Sequence, residues 1–168
     1  MTPYDLITSR DVAAFPFQEF LHYPRCFMVD WRAGGIEVAE GFVKAAGLTG
    51  RASLTIDTAD PSLLVLKHVD TAKLRMNHPE WSEQHQVLKM LQMHFGIRYS
   101  IRYLNHAAEG DTAYCVVESL STWERLEKAN PHVKWFFTPY QLLPDVVKAP
   151  FTEIAECGRK YADGNVPA

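Results

Sequence analysis

Apolar side chains recur with two different periods along this chain, and the change between them predicts its secondary structure. Runs that are continuous or alternate every second residue predict strands at 26–31, 51–57, 63–68, 97–103, 113–117 and 133–137. Spacings of three and four residues predict helices at 36–46, 79–95, 122–129 and 151–161.

Residues at the ends of these segments support the helices. Pro79 suits a first helical position, and Gly96 suits the residue after a helix end. Gly47 is a natural C-cap for the helix that begins after the turn at Gly34 and Gly35. The spacing of Ser121 and Glu124 is that of a capping box.

The length of the chain, 168 residues, predicts a single globular domain spanning 1–168. Prolines alternate with aromatic residues over 1–25, which predicts a packed N-terminal segment, and 162–168 are expected to fray. The order of strands and helices predicts the α+β class, with a single-layer, largely antiparallel mixed sheet and helices packed mainly on one face.

Charge and cysteine content indicate a cytoplasmic protein. The chain has 17 basic and 20 acidic residues without a basic cluster, which argues against a nucleic-acid partner. The N-terminal residues lack the features of a secretory signal, and no apolar run has the length of a membrane span. The three cysteines, Cys26, Cys115 and Cys157, have no paired spacing, which suits reduced thiols.

The seven histidines predict no metal site on the helix at 79–95. His85 and His94 are nine residues apart, so they point to opposite sides of that helix, and His78 lies about 10 Å of helical rise from His85. The weak alternative is a metal held by His68 and Asp70, which share one face of a strand but lack a third ligand.

Recognised catalytic motifs and cofactor motifs are missing from the sequence. The stretch Asp30–Gly35 lies between a strand and a helix, but its glycine spacing matches neither a dinucleotide fingerprint nor a P-loop. No serine lies in a Gly-x-Ser-x-Gly elbow. The sequence therefore predicts no catalytic residue and no cofactor, although acids such as Asp57, Asp111 and Glu118 could converge in the fold.

Two arginines and several aromatic residues are the candidates for partner binding. Arg98 and Arg102 share one face of a predicted strand, where they either bind a partner or an anion, or pair with acids such as Glu118 on the next strand. Aromatic residues form 12% of the chain and concentrate near its end, where Trp135 and Tyr140 serve equally well as interface anchors or as core.

These features favour a small cytosolic binding protein that acts on a protein partner through a surface patch. Its size, mixed α+β pattern and missing catalytic motifs resemble in character the small bacterial immunity and antitoxin proteins, which inhibit a toxin by binding it. Such a protein should expose a Trp or Tyr and lack a deep polar pocket.

Two alternatives remain open. The first is a small hydrolase or nuclease that uses histidine and arginine, or the metal pair His68 and Asp70, and it requires two such side chains in one cleft. The second is a small-molecule or nucleotide sensor, which requires an apolar cavity with a few convergent polar groups.

Overall fold

A computed structural model describes residues 1–60, 64–68, 71–76, 80–106 and 112–165. The strands in these ranges are β1 (Cys26–Asp30), β2 (Ala52–Ile56), β3 (Leu64–His68), β4 (Thr71–Met76), β5 (Tyr99–Leu104), β6 (Thr112–Ser119) and β7 (Phe137–Pro139). The α-helices are α1 (Phe17–Leu21), α2 (Gly35–Ala45), α3 (Glu83–Phe95), α4 (Leu120–Ala129), α5 (Val133–Phe136) and α6 (Phe151–Ala162).

The strands form two antiparallel sheets, which confirms the predicted α+β class and its antiparallel pairing. The larger sheet has the order β1-β6-β5-β7, and the smaller has the order β2-β3-β4. The sequence predicted one sheet, and the structure divides the strands between two. Strand β4 was not predicted, although its alternation of Ala72, Leu74 and Met76 with basic residues is a strand pattern.

Two helices begin at different residues from those predicted, because other serines cap them. Helix α3 starts at Glu83 instead of Pro79, since the Ser82 hydroxyl oxygen accepts a hydrogen bond from the His85 N–H (3.3 Å). Helix α4 starts at Leu120, with Ser119 as its N-cap in place of Ser121.

The predicted strand at 133–137 is wrong over most of its length. Residues Val133–Phe136 form α5, and only Phe137 begins β7. The Asn130 backbone carbonyl accepts from Val133 N–H, and its side chain accepts from His132 N–H, so the chain turns into a helical conformation there. A short apolar run cannot distinguish a buried strand from a buried helical turn.

Both faces of the larger sheet are buried, each in a separate core. Alternation along β5 and β6 places Ile101 and Cys115 in the core that includes α2 and α3. Leu104 and Val116 lie in a second core with the N-terminal segment, α4 and α5. Helices therefore cover the second face as well, a detail beyond the expectation of packing mainly on one face.

The N-terminal segment contributes aromatic side chains to the second core. Tyr4 and Phe20 are buried, and their rings meet edge to face at 5.1 Å. The Tyr4 and Tyr23 hydroxyls donate hydrogen bonds to the buried Glu118 carboxylate, at 3.5 and 2.5 Å. These contacts join the start of the chain to β6.

Among the described helices, none is long and apolar enough to cross a bilayer.

Candidate functional site

A cleft of about 220 Å³ opens where β1, β5, β6 and α6 meet, and we call it the aromatic cleft. Its lining combines the aromatic side chains of Trp31, Tyr103 and Phe151 with aliphatic side chains such as Val146 and Ile154. Trp31 and Phe151 are 39% and 52% exposed, whereas Tyr103 and Ile154 are buried. The cleft is therefore an apolar depression bordered by two accessible aromatic rings.

Trp31 directly follows β1, in a turn that α3 holds in place. The side-chain amide of Gln84 donates hydrogen bonds to the backbone carbonyls of Trp31 (2.8 Å) and Ala33 (2.7 Å). The Gly35 N–H donates to Glu83 (2.6 Å), and a Cβ at Gly35 would lie only 2.8 Å from the Val87 side chain. The turn thus approaches α3 too closely for a larger residue, which explains the second glycine of the Gly34-Gly35 pair.

Asp145 holds the opposite wall of the cleft on the N-terminus of α3. Its carboxylate accepts hydrogen bonds from the Ser82 N–H (2.6 Å), the Ser82 hydroxyl (2.8 Å) and the Val147 N–H (3.0 Å). Burial alone would raise the pKa of Asp145, but these hydrogen bonds outweigh it, so this pKa lies below its ordinary value. The wall that carries Val146 is therefore anchored by an ionised side chain.

Tyr103 and Thr112 supply hydroxyl groups to the lining of the aromatic cleft, and Tyr103 is the buried one. Burial raises the pKa of the Tyr103 hydroxyl to about 12, and the nearby Cys115 is a second, smaller cause. This hydroxyl therefore stays protonated at neutral pH. Among the described residues its hydroxyl has no hydrogen-bond partner. The cleft can therefore offer the neutral Tyr103 hydroxyl to a largely apolar ligand, in addition to the Thr112 hydroxyl of its lining.

The two candidate arginines do not share an exposed face. Arg98 is exposed just before β5, but Arg102 is buried and pairs with Glu127 of α4, where its guanidinium also donates to the Tyr161 hydroxyl (2.6 Å). The predicted partner Glu118 lies opposite Ser100 instead. The second core covers the face of β5 that carries Arg102, so this side chain is buried and is not placed to touch a partner.

Tyr140 is also inside the protein, contrary to a role on the surface. It is fully buried, and its hydroxyl lies 2.7 Å from Nδ1 of His85. Trp135 is half-buried, with its ring stacked against His106 and with the Arg10 guanidinium 5.2 Å from its centre. Most of the aromatic residues near the end of the chain therefore serve the cores, and Phe151 is the large exception on the surface.

The histidines of α3 lie on different sides of the helix, in agreement with their spacing. His85 is buried against Tyr140, whereas His94 packs against His68 of β3, with ring centres 5.5 Å apart. Burial, together with His68, lowers the pKa of His94. Within the described ranges no three metal-binding side chains converge. Asp70, the second residue of the predicted metal pair, lies outside the described residues, as do His78 and Asp111.

The glycine spacing of the stretch Asp30–Gly35 does not point to Trp31. The local signal that could have found Trp31 is a tryptophan between a strand and a glycine turn, which is a position at the rim of a sheet. Its proximity to Phe151, 120 residues further along the chain, depends on how α6 packs, which no local pattern reveals.

Comparisons with protein-family models, with curated proteins and with solved structures find no match to this chain.

Proposed function

We propose that this protein is a cytosolic binding protein that recognises a protein partner through the aromatic cleft. The observation that carries the proposal is the pair of accessible rings, Trp31 and Phe151, beside one apolar depression. Aromatic residues dominate the binding free energy of protein interfaces because they bury a large area with few torsions. Binding between the rings would remove their exposed apolar surface from water, which is the main favourable term in association.

The size of the cleft supports a side chain of a protein as its occupant. Its volume of about 220 Å³ is below the roughly 300 Å³ at which pockets for drug-sized ligands begin. A cleft of this size suits one or two apolar side chains of a partner, with the rest of the interface formed by the surrounding surface. An inhibitor of the immunity or antitoxin type would use the cleft in this way to cover its toxin.

The hydrogen bonds around the cleft support binding without rearrangement. Gln84 holds the turn of Trp31, and Asp145 holds the wall of Val146. A surface that is ordered before binding loses less conformational entropy in the complex, so more of the contact energy appears as affinity.

A small-molecule sensor is the second candidate, and Tyr103 is the observation that favours it. A neutral hydroxyl without a partner among the described residues, in an apolar cleft, is the kind of polar group that orients a small ligand. The two functions predict different ligands. A small molecule would contact only the cleft, whereas a peptide would also contact the surface outside it.

The test selects a phage-displayed library of random dodecapeptides on the immobilised full chain. The enriched peptides are synthesised, and their affinities are measured by fluorescence polarisation for the wild type, Trp31→Ala and Phe151→Ala. We expect each substitution to weaken binding by at least about tenfold, as removal of an interface hot spot does. Met93→Ala removes a similarly exposed apolar side chain from α3 and should leave the affinity unchanged.

Two results would overturn the proposal. Peptides that bind Trp31→Ala and Phe151→Ala as tightly as the wild type would place recognition elsewhere. If no peptide is enriched, while a library of small aromatic compounds shifts the nuclear magnetic resonance signals of Trp31 and Tyr103, the sensor function replaces protein recognition.

A further inference from the structure

Strand β2 forms one edge of the smaller sheet, and its outer side carries backbone groups that the sheet does not use. Among the described residues only β3 pairs with β2. The Ala52 N–H donates to the Leu48 carbonyl (3.1 Å), so residue 52 directs its N–H away from β3. In an antiparallel pair, the backbone N–H and carbonyl of every second residue point away from the neighbouring strand. Leu54, two residues after Ala52, therefore presents both its N–H and its carbonyl at the open edge of β2.

A groove of about 480 Å³ runs beside this edge, between α2 and β2. Val43 of α2 and Ala52 and Leu54 of β2 form its apolar lining. Glu40 and Lys44 lie on its helical side, and Thr49 and Gly50 close one end. We call it the α2–β2 groove. It has a helix as one wall and an open strand edge as the other, which is the geometry that accepts an extended chain.

The charges on the helical side indicate what kind of segment fits. Glu40 and Lys44 are exposed, and neither forms an ion pair among the described residues. They are four residues apart on α2, a rise of about 6 Å. Residues two apart in an extended strand are separated by about 6.6 Å and point the same way. A strand that carries one basic and one acidic residue two positions apart therefore complements this pair.

A second copy of this chain fits the groove less well than a free segment. If two β2 strands paired edge to edge, the side chains of Ala52 and Leu54 in each copy would remain packed in their own core. They could not enter the groove of the partner, which would stay unfilled. An extended segment from another protein has side chains free to enter it.

We infer that the α2–β2 groove binds an extended segment of a partner protein, which adds to β2 as a fourth strand of the smaller sheet. The backbone of the segment pairs with Leu54, its apolar side chain fills the groove against Val43, and its opposite charges meet Glu40 and Lys44. This site is separate from the aromatic cleft and does not depend on the function proposed for it.

The test uses fluorescein-labelled octapeptides in which the apolar residues and the two charged residues occupy every second position, so that their side chains share the face towards the groove. One set carries lysine and, two positions later, glutamate; the other set has these two residues in the reverse order. Fluorescence polarisation measures their affinities for the full chain. We expect one order to bind about tenfold more tightly than the other. In the double variant Glu40→Lys/Lys44→Glu, which exchanges two exposed charges, the preferred order should invert.

Hydrogen exchange of backbone amides tests the strand pairing itself. On addition of the preferred peptide, the exchange of the Leu54 N–H should slow by at least about tenfold, because it gains a hydrogen-bond partner. Trp31→Ala should change neither the peptide affinity nor this protection. That control separates a failure of this inference from a failure of the proposed function.

Three outcomes would overturn the inference. The first is that neither peptide order binds with a dissociation constant below about 1 mM, and the second is that the preferred order stays the same in the double variant. The third is that sedimentation shows a dimer whose formation protects the Leu54 N–H without peptide, which would assign the edge to a second copy of the chain.

Discussion

Gln84 and Trp31 are 53 positions apart in the chain, yet the Gln84 side-chain amide donates a 2.8 Å hydrogen bond to the Trp31 backbone carbonyl. The same nitrogen donates to Ala33 at 2.7 Å, and Gln84 itself is 8% exposed. A buried amide on α3 thus determines where the turn after β1 lies. The most accessible tryptophan of the protein depends for its position on a helix that is distant in the sequence.

The substitution Gln84→Leu should therefore destabilise the protein and loosen Trp31. It keeps a similar volume but leaves two backbone carbonyls without their donor, which we expect to reduce the free energy of unfolding by about 1–3 kcal/mol. Urea denaturation measures this loss. Gln141→Leu, at an exposed glutamine, is the control and should change the free energy by less than about 0.5 kcal/mol. Equal effects of the two substitutions would contradict the anchoring role of Gln84.

Arg102 and Arg98 should differ strongly in their contribution to stability. Arg102 is buried between Trp123 and Tyr161, with its guanidinium carbon 4.5 and 5.3 Å from the ring centres, and it pairs with Glu127. Replacing one partner of a buried ion pair leaves the other charge poorly compensated, so Arg102→Met should cost about 3 kcal/mol. Arg98→Ala, at the exposed position, should cost less than about 0.5 kcal/mol.

Guanidinium denaturation of the two arginine variants checks this contrast. A small loss for Arg102→Met would mean that the buried network contributes little to stability.

The stabilising effect of Asp145 should depend on pH. Since its folded pKa lies below the unfolded value of about 3.9, its contribution is present above that value and is lost as the pH falls through the folded pKa. Asp145→Asn should therefore be less stable than the wild type by about 1–2 kcal/mol at pH 7. This difference should shrink towards zero when urea denaturation is repeated between pH 4 and pH 2. A difference that is constant with pH would show that the charge of Asp145 is unimportant.

The substitution Gly158→Ala tests how closely α6 packs against Asn105, the residue that directly follows β5. A Cβ at Gly158 would lie 2.9 Å from the Asn105 side-chain nitrogen, which donates to the Trp135 carbonyl at 2.8 Å. The Asn105 side-chain oxygen also accepts from the Thr138 hydroxyl at 2.9 Å, so this side chain is held on two sides. We expect a loss of about 1–3 kcal/mol from overpacking.

The sign of the Gly158→Ala effect shows whether overpacking outweighs helix propensity. Where a helix has space for the side chain, alanine stabilises it by about 1 kcal/mol relative to glycine. A rise in the thermal midpoint would mean that Asn105 moves aside freely, and the close packing of α6 would then have no energetic consequence.

Local patterns in the sequence were sufficient for most elements of the fold. The alternation of Ile101 and Tyr103, and the helical spacing from Phe151 to Tyr161, reflect burial on one face, which neighbouring residues encode directly. The run Val133–Phe137 failed because a short apolar segment is compatible with either conformation, and the turn at Asn130 decided for a helix.

Spacing along single segments was enough to predict the α+β class, most strand and helix positions, and the opposite orientations of His85 and His94. Long-range packing alone accounts for the burial of Tyr140 and Arg102 and for the position of Trp31 and Phe151 on one cleft. These outcomes depend on which distant segments cover a given face, and the side chains that cover it come from parts of the chain that no local period connects.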